Sequence, residues 1–327
     1  MVFGEIFRRL AVRGLAAMCM LAALGSCGGG TYQVSAFVPL RILTFGDEAN
    51  ILVPPQGLKY SINGLSIATD LPDCSLLPLW TQVLAASYGM TYTECNPEAV
   101  ASPTAFNFST VNATVDDVNT QVNSFLSGDT FNSSDLVTIW VGEHDILDLY
   151  QTGANGANSD DLIAQSRVRG QTLANVVNNI SATGAKVLVL TIPDMGESPF
   201  ANNEQQTHGD FNRVQLLSDM SNNFNRAMRS TVINDGSKIG LVLADDYVNS
   251  AVRAPSRFGF APDAQFQPGC QPDVNLPNCT ENTLVVDPAN NLSAASVFLW
   301  ADPTHLGSTA QNAVGQQASS RAHTNPF

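Results

Sequence analysis

Lysine is nearly missing from this 327-residue chain: only Lys59, Lys186 and Lys238 occur, and with arginine they make 15 basic residues against 29 acidic ones. No cluster of Lys and Arg is available to meet a phosphate backbone, so nucleic acid is not an expected partner. Also missing is any apolar run of the ~20 residues that a membrane-spanning helix needs. No two cysteines stand at the two-residue spacing of a structural zinc site. Beyond a short glycine tract at 28–30, no repeat or low-complexity segment breaks the chain. Nothing in this composition argues against one large packed domain, or at most two.

What is present begins with a leader. Arg8, Arg9 and Arg13 precede an apolar stretch over residues 15–24, which has the length and flanks of a secretory signal rather than of a membrane span. Leu24-Gly25-Ser26-Cys27 then has the form of a lipobox, in which Cys27 is acylated and becomes the new N-terminus. Two or three acyl chains hold a protein firmly at a membrane without a transmembrane helix. The expected organisation is therefore a signal peptide over 1–26, a lipidated Cys27 with a flexible tether to residue 38, and one domain over 39–327. Gly28 follows the lipidated cysteine where inner-membrane retention usually uses aspartate, so the expected location is the outer membrane. Without its first 26 residues, which carry three arginines and Glu5, the chain has 12 basic and 28 acidic residues and a net charge near −16. That charge favours solubility and says little about substrate.

Four cysteines remain once Cys19 and Cys27 are set aside. An exported chain meets an oxidising compartment, so disulfides are expected. Of the three possible connectivities, the two local pairs, Cys74–Cys95 and Cys270–Cys279, are the ones anticipated.

Unalternating β-rich apolar runs at 41–45, 136–141, 186–192 and 239–244 predict buried parallel strands. Amphipathic stretches lie between them. Thr114 caps one that runs to Leu126, a second runs from Ser159 to about Ile180, and a third covers about 212–233. Strands alternating with helices predict βαβ units and an open, mostly parallel sheet. In such a sheet, ligands sit beyond the carboxyl ends of the strands. That directs attention to Asp47-Glu48, Gly142-Glu143-His144-Asp145 and Pro193-Asp194-Met195-Gly196.

Taken in order, these strand ends resemble the SGNH/GDSL hydrolase family. Thr44-Phe45-Gly46-Asp47 resembles its first block, which normally ends in the serine nucleophile. Asn63-Gly64 resembles the second, whose glycine N–H helps form the oxyanion hole. The stretch from Asp135 through Gly142-Glu143-His144-Asp145 resembles the third, whose asparagine completes that hole. Asp302-Pro303-Thr304-His305 resembles the last, where the aspartate orients a general-base histidine. The turn at 191–196 and the segment 246–260 fit the same order. The resemblance covers about residues 40–320 and implies a three-layer α/β/α, flavodoxin-like fold. It also implies ester hydrolysis of a small-molecule or lipid substrate.

Two departures stand out: Glu48 is where the serine belongs, and His144 is where the asparagine belongs. Gly64, Asp302 and His305 are retained. Fold and function must therefore be argued separately. In one reading Glu48 is itself a nucleophile, with His305 releasing the product and His144 serving the oxyanion. In another, Glu48 and His305 activate a water. A third places a metal at Glu48, His144 and His305, with or without Asp47, although no cofactor is expected. A fourth is a silent hydrolase fold that binds a ligand of the cell envelope. Trp80 and Trp140 read as core, and Asp145 as the cap of a short helix over 146–150. His208, at a helix start, and His323, in the tail, have no expected partners.

Overall fold

The computed structural model describes residues 36–153, 158–264, 266–286 and 294–324. The expected signal segment, Cys27 and most of the tether lie outside the described residues. Among the described residues, no helix is long and apolar enough to cross a membrane.

Strands β1 (Arg41–Gly46), β2 (Leu52–Val53), β3 (Leu58–Lys59), β4 (Ala105–Asn107), β5 (Asp135–Trp140), β6 (Lys186–Leu190) and β7 (Ile239–Val242) form two sheets. The main sheet has the order β4-β1-β5-β6-β7, and every pairing in it is parallel. Its central register sets Leu43 opposite Val137 and Val137 opposite Val187. Ile42, Phe45, Leu136, Val137, Ile139 and Val187 are all fully buried, as expected for strands covered on both faces. The four anticipated strands occur with ends moved by one or two residues. Residue 244, expected in the last strand, instead opens a helix. β4 was not anticipated, since three residues give no periodic signal. β2 and β3 form a separate antiparallel hairpin.

Helices α1 (Trp80–Ser87), α2 (Val115–Leu126), α3 (Glu143–Gly153), α4 (Ser159–Ala182), α5 (Pro199–Thr207), α6 (Arg213–Thr231), α7 (Ala244–Arg253) and α8 (Ser308–Thr324) complete the three layers. α2, α3, α4, α5 and α6 touch one another in one layer, while α1, α7 and α8 make the other. α2 starts as predicted: Thr114 and Asp117 form a capping box. Trp80 and Trp140 are core, meeting edge to face with centroids 5.7 Å apart. Both expected disulfides are formed, Cys74–Cys95 and Cys270–Cys279, with Cα separations of 5.8 and 5.9 Å.

Three local expectations are corrected. Asp145 does not cap its own helix, which begins two residues earlier; its Oδ2 accepts the Val115 N–H of α2 at 2.9 Å and its Oδ1 meets Arg169 at 3.1 Å. Burial, against that hydrogen bond and Arg169, pushes its carboxyl up to about 6. His208 ends α5 rather than starting a helix, and pairs with Glu204 at 3.6 Å. His323 lies in α8, stacked on Tyr88 with centroids 4.3 Å apart. An aromatic partner more than two hundred residues away is invisible to local pattern.

Lys59 is fully buried, and its amine donates to the carbonyls of Cys74 and Leu76 at 3.1 and 2.6 Å. Burial pulls its pKa from 10.5 down to about 8, against a weaker opposing pull from Asp73. Between those values the unfolded chain binds a proton that the folded chain does not, so stability from this group rises with pH. Comparison of urea midpoints for the wild type and Lys59→Met from pH 7 to 10.5 is expected to show this. The wild type should gain on the variant as pH rises, by about 3 kcal/mol at most.

Candidate active site

β1 and β5 are neighbours, and the order of the sheet reverses at this pair. Ligands of open parallel sheets bind at such a switch point. Gly46 ends β1 with φ +138°, and a Cβ there would lie 2.0 Å from the Trp140 carbonyl oxygen. Gly142, just beyond β5, has φ +128°, and a Cβ there would lie 2.5 Å from the Phe224 ring. Only glycine fits either turn.

The turn after β1 is a one-turn 3-10 helix, Glu48–Asn50, capped by the Asp47 side chain through the Ala49 N–H at 3.0 Å. Asn50 fastens it by donating to the carbonyls of Asp47 and Trp140, each at 2.9 Å, and by accepting the Trp80 indole N–H at 3.0 Å. Gln121 closes the other side, exchanging two hydrogen bonds of 2.9 Å with the Gly46 backbone. This frame leaves Glu48 in one position, 2 % exposed.

Three donors converge on the Glu48 carboxylate. His144 Nε2, from the first turn of α3, lies 2.8 Å from Oε1. His305 Nε2 lies 3.2 Å from the same oxygen. The Asn112 backbone N–H donates to Oε2 at 2.8 Å. His305 in turn is set by Asp302: its Nδ1 is 2.9 Å from both carboxylate oxygens, and its backbone N–H donates to Oδ1 at 2.7 Å. The loop holding this pair is closed by a bridge between Trp300 and Leu306 and tied to α5 by Phe200 N–H to the Pro303 carbonyl at 3.0 Å. Sequence reading thus named four residues that the fold brings together: Glu48, His144, Asp302 and His305.

Gly64 is held in a different set of contacts. Its carbonyl accepts from the Asp73 N–H at 3.0 Å, and a Cβ on it would meet Leu76 at 2.5 Å. Asn63 beside it donates to the carbonyls of Pro277 and Cys279 at 2.8 and 2.9 Å, fastening this segment to the loop of the second disulfide. Ser66 lies in the turn that follows, its N–H bonded to the Leu71 carbonyl at 2.9 Å.

Electrostatics mark the crevice as unusual. Burial raises the Glu48 carboxyl, but the hydrogen bonds and charges of His144 and His305 outweigh it and hold the group well below 4.5. For His144, burial opposes charging, yet Glu48, Glu143 and Asp47 push it up to about 9. His305 moves well above 6.5 because Asp302, Glu143 and Glu48 overcome its burial. Asp302 stays low, its burial offset by His305. Asp47 and Glu143 rise, mainly through burial.

Three participants were missed in the sequence. Glu143 is buried beside His144, and its Oε1 has no hydrogen-bond partner. It was visible as one residue of the polar stretch after β5 but had no assigned part. Tyr60 sits with its ring 6.3 Å from that of His305, and its hydroxyl pKa is raised by burial and by Glu48. Asn112 contributes only its backbone, for which no side-chain signal exists.

The family model described as GDSL-like lipase/acylhydrolase matches residues 66–314, a span that holds His144, Asp302 and His305 but begins after Glu48 and Gly64. Over 135 residues the chain is 29 % identical to a phosphatidylcholine-sterol acyltransferase of Aeromonas hydrophila, covering 39 % of this chain and 37 % of that protein. Among solved structures, a member of the lipolytic G-D-S-L family from Veillonella parvula aligns over 85 % of this chain and 95 % of its own, at 10 % identity and TM-score 0.41. A catalytic mutant of an acetylxylan esterase from Geobacillus stearothermophilus aligns over 89 % and 97 %, at 13 % identity and TM-score 0.43.

Proposed function

Because the chain belongs to the GDSL-like lipase/acylhydrolase family, we propose that it is an ester hydrolase of the cell envelope in which Glu48 replaces the serine nucleophile. One observation carries this reading: Glu48 Oε1 is 3.2 Å from His305 Nε2, whose Nδ1 is 2.9 Å from Asp302. The relay of a serine hydrolase is kept, with a carboxylate at its reactive end.

A carboxylate needs no base before it attacks. A Glu48 oxygen bonds to the acyl carbon, and the carbonyl oxygen becomes an oxyanion that accepts the His144 Nε2–H. Collapse breaks the ester C–O bond, and His305 gives its Nε2 proton to the departing alcohol, leaving an acyl-glutamyl anhydride. His305 then takes a proton from water as the water attacks the acyl carbon. The carboxylic acid leaves, and Glu48 is again a carboxylate beside a protonated His305. The name of the Aeromonas relative makes a phospholipid acyl ester the first lipid substrate to try.

Rapid mixing with p-nitrophenyl acetate tests this, using the chain freed of residues 1–27. A burst of p-nitrophenol approaching one per chain, followed by slower turnover, is expected. Release no faster than in buffer overturns the proposal. The second reading, a silent ligand-binding lipoprotein, has its own support: both Glu48 oxygens are already satisfied by protein donors.

The envelope location rests on the lipobox ending at Cys27. In cells, Cys27→Ser is expected to move the protein from the membrane fraction to the soluble fraction, as read by fractionation and blotting. Retention of the variant in the membrane contradicts lipid anchoring.

A further inference from the structure

The crevice contains more carboxylates than an ester hydrolase needs. Glu48, Asp47, Glu143 and Asp302 are gathered around His144 and His305, and among the described residues no Lys or Arg forms an ion pair with any of the four. Within that group, Glu48 Oε1 lies 2.8 Å from His144 Nε2 and 3.2 Å from His305 Nε2, and one ligand atom from each residue falls within 4.8 Å of the others. In a tetrahedral zinc site with bonds of ~2.0–2.1 Å, ligand atoms stand about 3.3 Å apart. Each imidazole therefore needs to stand off Glu48 Oε1 by only tenths of an ångström, and the two imidazoles to close on each other from within 4.8 Å, to admit an ion.

We propose that Glu48, His144 and His305 form a binding site for a divalent transition metal, with zinc the best fit. Two imidazole nitrogens and one carboxylate leave a fourth position for water, a common pattern of open zinc sites. The outer contacts are those of a built site. Asp302 holds His305 through Nδ1, so that Nε2 faces the centre, which is the carboxylate–histidine–metal arrangement. The Asn112 N–H fixes the free oxygen of Glu48. Independently, Glu143 is 8 % exposed and faces both histidines; Thr304 reaches its carboxyl, but its Oε1 is left without a hydrogen-bond partner. A water on the ion gives that atom a donor.

Metal binding stands without the hydrolase reading; its effect on activity rests on that reading. The ion occupies the same Oε1 and Nε2 atoms that acyl transfer uses, so the metal-bound and catalytic forms are mutually exclusive states of one crevice. Zinc is then an inhibitor of this site and not its cofactor.

The test is calorimetric titration of zinc chloride into EDTA-treated, desalted protein, without substrate. One site per chain is expected. Affinity should fall more than ~100-fold in His144→Ala and in Glu48→Ala, and ~10–100-fold in Asp302→Asn. Cobalt chloride supplies a second readout: visible ligand-field bands of a tetrahedral ion should appear in the wild type and be lost in His144→Ala. Thermal melts in EDTA establish that each variant is folded. Absence of binding, or binding and bands unchanged in folded His144→Ala, overturns the site. In the activity arm, zinc should suppress p-nitrophenyl acetate hydrolysis and EDTA restore it. Activation by zinc overturns the exclusive-states argument. A metal-free protein without activity counts against the hydrolase reading and leaves the titration standing.

Discussion

Steady-state hydrolysis of p-nitrophenyl acetate in EDTA is expected to fall about 10³-fold or more in Glu48→Ala and in His305→Ala, and no further in the double variant. Residues that act as one unit lose nearly everything with the first removal. Glu48 and His305 meet directly at 3.2 Å, so they form such a unit if acyl transfer runs through them. Asp302→Asn is expected to cost less than either, because it leaves both reacting groups in place and disturbs only the orientation and charge of His305. Additive losses in the double variant contradict a shared step. Glu48→Ser separates the two functional readings. Serine ends two atoms short of the glutamate oxygens, and a gain of activity from an inactive wild type means an intact scaffold whose own chemistry has been given up. Loss of an active wild type's turnover in the same variant means that the surrounding groups are set for the longer side chain.

Gly46→Ala is expected to destabilise the domain by about 3 kcal/mol or more, a sum of strain at positive φ and forced displacement of packed atoms. The new methyl would fall 2.0 Å from the Trp140 carbonyl and 2.5 Å from the Asn50 amide nitrogen, at a φ of +138°. Neither neighbour can give way cheaply. The carbonyl belongs to the adjoining parallel strand, and Asn50 holds the turn through two carbonyls and the Trp80 indole. Urea unfolding followed by tryptophan fluorescence measures the change. A midpoint within 0.5 kcal/mol equivalents of the wild type, about the size of an ordinary surface substitution, means that the turn relaxes and that its glycine is not required.

The sequence carried the parts of this fold that depend on long, uniform runs. The four longer strands of the main sheet were legible because burial on both faces leaves a continuous apolar run, and the helices after Thr114, Asn158 and Asn212 because burial on one stripe leaves a periodic mark. β4 left no such mark, since three residues hold less than one reliable repeat. The hairpin β2–β3 was lost for the same reason. At the site, Glu48, His144, Asp302 and His305 were legible because each follows a strand or closes a recognisable short block. Glu143 was passed over because one more acidic residue at a helix start is the ordinary expectation. Its burial arises only when α3 folds over the crevice. The same holds for Asp145, whose helix-cap role is performed for α2, a partner 30 residues earlier in the chain.

The Asn112 backbone N–H that holds Glu48 Oε2 at 2.8 Å makes the segment before α2 a built-in reporter. Its residue has φ +58°, a left-handed kink that asparagine tolerates, so the segment is set by this bond and by its own turn. Any event that draws Glu48 Oε2 away, whether acylation, substitution or a shift toward an ion, releases one amide at a known position. Amide hydrogen exchange at Asn112 then reads the state of the carboxylate without a substrate chromophore. Slow exchange belongs to the resting ion-paired form, and fast exchange to the form in which Glu48 is engaged elsewhere.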